Sequence, residues 1–421
     1  MPKRSGIADL PLHTGTVPRW LADRMRDLGR LIAESIVENY GKKEFLVRLS
    51  DPLWFQSFGA VLGMDWHSSG ITTSVLYALK RGLNPIAGEL GICVCGGRGK
   101  YSRETPGELL KVADLTGLDG NSLVRTSKLC AKVDSTAIQD GFQLYQHNFI
   151  VTDEGDWAVV QQGMNPTAKA ARRYHWCSSN LRSFVEEPHT AIVGENRGQI
   201  LNLTDLAASG TRNSILELSQ ESPDRVMREV SLIAKPKSSI LVPAQQMDLF
   251  DATPPAIAIS SGRNVRMPAH HEVLAADVDL KRLGSVLATA YESQPQSFEN
   301  LLLTPGLGPR TLQSLTLVSE VINGTPSRFK DPARFSFAHG GKDGHPFPVP
   351  TRIYDESIRI LGDSIEKAKL GNRDKMDCLN RLHQTQMSIE EHCSPLADFE
   401  KTVQREHRHS AEWGGRTVEK G

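Results

Sequence analysis

Acidic, imidazole and amide side chains gather in the segment DSTAIQDGFQLYQH, which begins two residues after Lys132. Carboxylate and imidazole groups bind Mg²⁺ or Mn²⁺, and such an ion polarises a phosphate and activates water. The segment therefore predicts a divalent-metal site for phosphodiester hydrolysis, with Asp134, Asp140 and His147 as ligands. Lys132 would stabilise the negative charge that develops in the transition state. The alternative is that Asp140 forms an ordinary turn with Gly141.

A second candidate for chemistry is the bend PGLGP in the C-terminal half of the chain. Because Gly306 and Gly308 carry no side chain, a phosphate oxygen can approach backbone N–H groups there. Leu307 would plug the gap between two helices, and the second helix would direct its positive N-terminal end at the oxygen. Arg310 and Thr311 would add contacts. We predict a helix-hairpin-helix element that binds DNA through its phosphates and reads no sequence. A plain helical hairpin with a glycine turn is the alternative.

Basic residues cluster at two further places. The string GGRGK is not a P-loop, because Tyr101 follows Lys100 where Ser or Thr is required. A basic glycine turn suits a phosphate backbone, and a solvated basic face is the alternative. The predicted DNA contacts are Arg98, Lys100 and Arg103 in this turn and Arg172 and Arg173 downstream.

The elements that must position these residues follow from hydrophobic periodicity. Apolar residues at helical spacing predict helices over Trp20–Tyr40, Pro52–Leu62 and Ser69–Arg81. Strand-forming residues on both sides of DEGD predict a hairpin of Phe142–Thr152 and Trp157–Gln162. The expected fold class is an α+β N-terminal domain followed by a mainly α-helical C-terminal domain that contains the helix-hairpin-helix motif.

The composition divides the chain further. The stretch Lys235–Pro268 has little periodicity and is rich in Pro, Ser, Ala and Gly, which is typical of a linker. On either side of it, the pattern predicts helices over Ile200–Ala208 and Ser219–Leu232 and regular helices from Glu272. The predicted organisation is an α+β candidate catalytic domain at 1–190, a helical extension at 191–234, a linker at 235–271, a helical DNA-binding domain at 272–385 and a polar tail at 386–421.

The linker contains the string QMDLF, which is Gln246, Met247, Asp248, Leu249 and Phe250. A Leu-Phe pair in a segment without a core of its own is typical of a peptide that docks into another protein's pocket. The string is similar to the pentapeptide by which bacterial repair and replication proteins bind the sliding clamp. A bacterial sliding clamp is therefore a predicted partner, and a loop that packs back on its own domain is the alternative.

Composition limits the remaining classes. The formal net charge of the 421 residues is zero, so any DNA-binding surface must be local. The six cysteines lack zinc-finger spacing and are expected to be reduced, buried thiols. No apolar run approaches the length of a membrane span or of a secretory signal. We therefore expect a cytoplasmic, nucleoid-associated protein.

Five segments carry a resemblance to a known family: RSGIADLPLHTG, GGRGKYSRETP, LVRTSKLCAKVDSTAIQDGFQLYQH, WAVVQQGMN and FAHGGKDGHPFPVP. Together they resemble domain-of-unknown-function family 763. The resemblance runs over most of Arg4–Leu382 and is weakest in the linker. It implies a helix-hairpin-helix segment in the C-terminal part and a distinctive N-terminal domain, and it implies no established activity.

These observations predict a DNA-binding protein of repair or recombination. The leading hypothesis is a Mn²⁺- or Mg²⁺-dependent nuclease that acts on single-stranded, branched or damaged DNA. The alternative is a non-catalytic DNA-binding adaptor that the sliding clamp recruits. An RNA-binding protein ranks last, because RNA recognition uses aromatic stacking and only 6% of the residues are aromatic.

Overall fold

The computed structural model describes residues 10–11, 17, 19–64, 69–233, 280–333 and 347–396. The linker pentapeptide Gln246–Phe250 lies outside these residues. The helices, in chain order, are α1 (Arg19–Tyr40), α2 (Lys42–Ser50), α3 (Pro52–Val61), α4 (Gly70–Leu83), α5 (Ala87–Leu90), α6 (Thr105–Thr116), α7 (Gly120–Lys132), α8 (Ser209–Gln220), α9 (Pro223–Ile233), α10 (Leu280–Ser293), α11 (Phe298–Leu302), α12 (Pro309–Asn323), α13 (Thr351–Lys367) and α14 (Asn372–His392). The strands are β1 (Leu10–Pro11), β2 (Ile92–Arg98), β3 (Ile138–Gln139), β4 (Gln143–Thr152), β5 (Trp157–Asn165), β6 (Ala170–Cys177), β7 (Ala191–Val193), β8 (Gln199–Asn202), β9 (Phe329–Lys330), β10 (Phe347–Pro350) and β11 (Cys393–Leu396).

The chain forms two compact units, and each unit is assembled from separate stretches of sequence. The first unit consists of Met1–Asp134, Phe142–Gln199 and Lys330–Gly421. The second unit consists of Ser135–Gly141 and Ile200–Phe329. No helix of the described residues is both long enough and apolar enough to cross a membrane.

An antiparallel sheet in the order β1-β6-β5-β4-β2 organises the first unit, and β7 pairs with β6 as well. Successive residues of its strands reach helices on opposite faces. His147 and Gln161 are paired across β4 and β5, and the His147 ring contacts Ser127 of α7. The neighbouring pair, Gln146 and Gln162, contacts Thr72 of α4. The centre of the sheet is therefore covered on both faces, which explains why polar strand residues are buried here.

The apolar core of the first unit fills the face of the sheet that α4 covers. It joins residues of α1 to α4 with Val94, Ile150 and Val160 of the strands and with Leu361 and Leu382 of α13 and α14. Full burial of each large side chain in such a core contributes roughly 1.5–3 kcal/mol. This core is the reason why the C-terminal helices α13 and α14 belong to the first unit.

The second unit is mainly helical. Its helix α8 packs against α10, α11 and α12, and α9 packs against α10. A small three-stranded sheet in the order β3-β8-β9 accompanies the helices.

The coarse fold class predicted from the sequence is confirmed: helices with an antiparallel sheet lead into a helical C-terminal part. The helices α1, α3 and α4 and the β4–β5 hairpin lie where periodicity places them. The helix predicted at Ile200–Ala208 is wrong, because Gln199–Asn202 is a strand. The helix predicted at Ser219–Leu232 is split, since Pro223 disfavours helical backbone at the residue before it.

The two units also differ from the predicted linear division of the chain. The segment predicted at 272–385 contributes α10 to α12 to the second unit and α13 and α14 to the first. The helix α14 continues to His392, past the predicted start of the polar tail.

Candidate functional site

A buried hydrogen-bonded chain surrounds Asp134 in the first unit. Asp134 lies in the π-helical turn that follows α7, and it is fully buried. Its Oδ2 accepts hydrogen bonds from Gln161 Nε2 (2.5 Å) and Trp176 Nε1 (3.0 Å), and its Oδ1 is 2.5 Å from His189 Nε2. Three donors thus hold one carboxylate. Burial without such partners would be costly for a carboxylate, so the partners are what keeps Asp134 inside.

The same chain fixes the protonation of His147. Because Gln161 directs its amide N–H at Asp134, its Oε1 faces His147 Nδ1 at 2.8 Å, and an amide oxygen only accepts. Nδ1 therefore carries the proton, and Nε2 accepts from the Ser127 hydroxyl at 2.8 Å. Burial lowers the pKa of His147, which favours this neutral ring.

This hydrogen-bonded chain links two of the predicted metal ligands, Asp134 and His147, through the side chain of Gln161. In this arrangement both ring nitrogens of His147 are engaged, and a metal ion would have to replace one of these hydrogen bonds. Ser127 and His147 are both buried, so the hydrogen bond between them lies inside the first unit. Within the part of the chain that the structure describes, no group of three or more His, Cys, Asp or Glu residues is arranged to hold a metal.

The other two residues of the predicted catalytic set lie at different places. Asp140 is buried and belongs to the second unit, whereas Asp134 and His147 belong to the first. Lys132 is the last residue of α7 and is half-buried.

A buried ion pair holds the third segment of the first unit. The Arg172 guanidinium donates to both carboxylate oxygens of Asp331, at 3.0 and 2.9 Å, and neither side chain is exposed. Asp331 also accepts from the backbone N–H groups of Arg197 (2.8 Å) and Ala333 (3.0 Å). The guanidinium groups of Arg172 and Arg197 both lie over the Phe142 ring, 4.7 and 4.9 Å from its centre. These contacts hold the segment after Lys330 against the strand that contains Arg172.

The next residue of the strand, Arg173, is buried on the opposite face. Its guanidinium donates to Gln56 Oε1 at 2.9 Å and to His175 Nε2 at 2.8 Å, and it lies over the Phe55 ring. His175 Nδ1 in turn donates to the Leu49 carbonyl, and burial lowers the pKa of His175. Burial also lowers the pKa of Arg173 below its usual range.

The burial of these two arginines corrects one prediction. The sequence predicts that Arg172 and Arg173 hold a nucleic-acid strand, but both are fully buried, and their guanidinium groups bind internal partners. A phosphate cannot reach them in this conformation. The run AARRYHWC is a strand buried on both faces, and its charges are satisfied by residues far away in the sequence.

The glycine-flanked bend connects two helices of the second unit, α11 and α12. Gly306 has a φ of +84°, a conformation that favours glycine. Leu307 is 1% exposed and packs inward, as the sequence pattern predicts. Gly308 precedes α12 and offers no side-chain cap, and Pro309 occupies the first helical position.

The first turn of α12 has backbone N–H groups that no side chain caps. The N–H groups of Arg310 and Thr311 have no acceptor within the helix at these positions. Arg310 is exposed, whereas Thr311 is buried and its hydroxyl has no hydrogen-bond partner among the described residues. The exposed Arg282 of α10 reaches the bend, with its Nη2 3.5 Å from the Gly306 carbonyl oxygen.

The basic turn after β2 is exposed. Arg98 ends the strand, and Lys100 and Arg103 lie in the 3₁₀ turn Gly99–Arg103. All three residues are exposed, and their role in binding DNA stays a prediction.

In a comparison with protein families, the model of one family matches residues 6–349 of this chain. That family is described as "Protein of unknown function (DUF763)". The chain belongs to the DUF763 family. No curated protein and no solved structure matches it. The description of the family assigns no activity, so the function of this DUF763 protein has to be argued from its own residues.

Sequence reasoning missed several residues of these sites in the DUF763 chain. The hydrogen-bonded chain around Asp134 and His147 also includes His189, Ser127 and Trp176. These three residues lie far in the sequence from the residues that they contact. Arg282 reaches the glycine bend from another helix. The amide pair Gln161-Gln162 was the one local signal, since two adjacent amides in an apolar strand need partners on both faces.

Proposed function

We propose that this protein binds DNA through the glycine bend of its second unit, which acts as a helix-hairpin-helix element. The observation that carries the proposal is the uncapped N-terminus of α12, a 15-residue helix that follows Gly308. An N-terminus of this kind attracts anions, because its amides and the helix dipole both favour negative charge. The charges of Arg282 and Arg310 on each side add to the attraction for a phosphate.

The conformation of the bend also supports the proposal. The buried Leu307 and the left-handed Gly306 hold the backbone in place, so little order has to be gained on binding. Gly308 has an extended backbone, and a Cβ there would have only the Arg282 guanidinium, at 3.5 Å, as a neighbour. Gly308 is buried, but the position has room for a Cβ.

The test uses this property. The change Gly308→Asp is expected to keep or raise the stability, because Asp is a good N-cap residue, and to lower the affinity for a 20-base-pair duplex about tenfold. Gly308→Asn caps the helix equally well without a charge and is the matched control, with a smaller loss. Affinity is measured by fluorescence anisotropy over a range of salt concentrations. Arg282→Ala should reduce the salt slope by about one. A folded Gly308→Asp protein with unchanged affinity and salt slope would refute the proposal.

We further propose metal-dependent phosphodiester hydrolysis in the first unit. Its support is that Asp134 and His147 belong to one buried polar chain. The expected result is cutting of flapped or single-stranded DNA with Mn²⁺ or Mg²⁺, loss of cutting in EDTA and loss of cutting in Asp134→Asn. The non-catalytic adaptor predicts tight binding without cutting of any substrate. Recruitment by the sliding clamp through Leu249 and Phe250 belongs to either proposal, and binding of a 244–251 peptide with both residues changed to Ala as control tests it.

A further inference from the structure

The turn that follows β2 contains an exposed tyrosine, Tyr101, with glycines close to it in the sequence. Tyr101 is 50% exposed. Gly97, with a φ of +150°, leaves room for it, since a Cβ there would lie 3.1 Å from the Tyr101 Cβ. Gly99 has no atom within 4 Å of the position that a Cβ would take. The backbone around Tyr101 is therefore accessible from solvent.

Two cations of this turn lie close to aromatic rings. The Lys100 ammonium is 5.1 Å from the centre of the Tyr101 ring, and the Arg98 guanidinium is 5.7 Å from that of Tyr145. Tyr145 is fixed from behind by a hydrogen bond with Gln162, so its ring supports Arg98. Between Arg98 and Glu104 the sequence has three basic residues and one acidic residue. The surface thus combines a local positive charge with a flat apolar face.

Such a combination suits a nucleic-acid strand whose bases are unpaired. The cations bind the phosphates, and a base stacks on an aromatic ring. Bases within a duplex are already stacked and do not offer a face to a protein ring.

We propose that Arg98, Lys100, Tyr101 and Arg103 form a binding site for single-stranded DNA, in which an unpaired base stacks on Tyr101. The inference rests on the proposed DNA binding for its class of ligand, but it uses residues of the first unit only. It assigns to this unit the recognition of unpaired bases, while the glycine bend binds phosphates whatever the state of the bases.

The chain contains a matched control for this site. Tyr77 of α4 is 57% exposed and lies 5.5 Å from the Arg81 guanidinium, so its surroundings are chemically similar. Arg81, however, also binds the Asp23 carboxylate at 3.1 Å, and Tyr77 lies within a regular helix. We therefore expect no DNA binding at Tyr77.

The experiment compares the full-length protein with its Tyr101→Ala, Tyr101→Phe and Tyr77→Ala variants on fluorescein-labelled dT15. Loss of one stacked base is expected to weaken binding by Tyr101→Ala about tenfold, within the range measured for base–aromatic stacking. Tyr101→Phe retains the ring and should bind as tightly as the unchanged protein, and so should Tyr77→Ala. An abasic oligonucleotide of the same length carries the phosphates without bases, and all four proteins should bind it equally.

Two results would overturn the inference. One is equal binding of dT15 by Tyr101→Ala and the unchanged protein, and the other is an equal loss on the abasic strand. The Gly308→Asp variant separates this question from the proposed function. If Gly308→Asp leaves duplex binding unchanged while Tyr101→Ala weakens dT15 binding, the proposal for the glycine bend is wrong and the Tyr101 site is supported. If Gly308→Asp weakens duplex binding while Tyr101→Ala leaves dT15 binding unchanged, only the Tyr101 site is wrong.

Discussion

Replacing Asp331 with Ala is expected to lower the free energy of unfolding of the first unit by about 3–5 kcal/mol. The substitution leaves the Arg172 guanidinium buried without its carboxylate, and it removes the acceptor of the Arg197 and Ala333 backbone N–H groups. The measurement is urea denaturation followed by tryptophan fluorescence. Trp20, Trp54, Trp157 and Trp176 belong to the first unit, and the sequence of the second unit contains no tryptophan, so the signal reports on the first unit.

Two further variants show whether the loss comes from burial. Arg359→Ala removes a partner of the exposed ion pair between Arg359 and Asp363 and should change the stability by about 0.5 kcal/mol or less. The double replacement of Arg172 by Met and Asp331 by Leu removes both charges and should be less destabilising than Asp331→Ala alone. If Asp331→Ala were as stable as the Arg359→Ala control, the ion pair between Arg172 and Asp331 would not be needed to hold the segment after Lys330.

Local sequence patterns predict much of the fold because they depend on neighbouring residues. The spacing of Met25, Leu28, Ile32 and Ile36 in α1 shows which face of the helix is buried. The turn between β4 and β5 is set by the residues 153–156 themselves. No such local rule links Lys330 and the helices after it to the first unit, because their partners lie in α1, α3 and the sheet.

The same limit applies to the sites. Glu108 lies three residues after Thr105, which is a pattern for capping its own helix, yet its carboxylate accepts from the Gly96 backbone N–H and from Lys80. Arg172 and Arg173 have the composition of a basic surface, and only their distant partners reveal that they are buried. In contrast, the bend around Gly306 is encoded locally, and its conformation agrees with the sequence pattern.

The change Gly96→Ala is expected to destabilise the first unit by about 3 kcal/mol, again measured by urea denaturation with tryptophan fluorescence. Gly96 has a φ of +86°, which costs an alanine about 1–2 kcal/mol. The added Cβ would also overlap the carbonyl oxygen of His147 on the adjacent strand and lie 2.7 Å from the Thr105 hydroxyl. The Gly96 backbone cannot move away easily, because Glu108 accepts from its N–H at 2.6 Å and Lys80 donates to its carbonyl at 2.7 Å.

Gly99 is the control that separates the overlap from the backbone strain. It has a φ of +63° and open space where a Cβ would be added, so Gly99→Ala should cost only the strain, about 1 kcal/mol. The difference between the two variants then measures the close approach of β2 to β4 at His147, the residue that continues into the buried chain to Asp134. Equal losses in the two variants would mean that β2 shifts at little cost, and that the strand does not fix the position of the His147 ring.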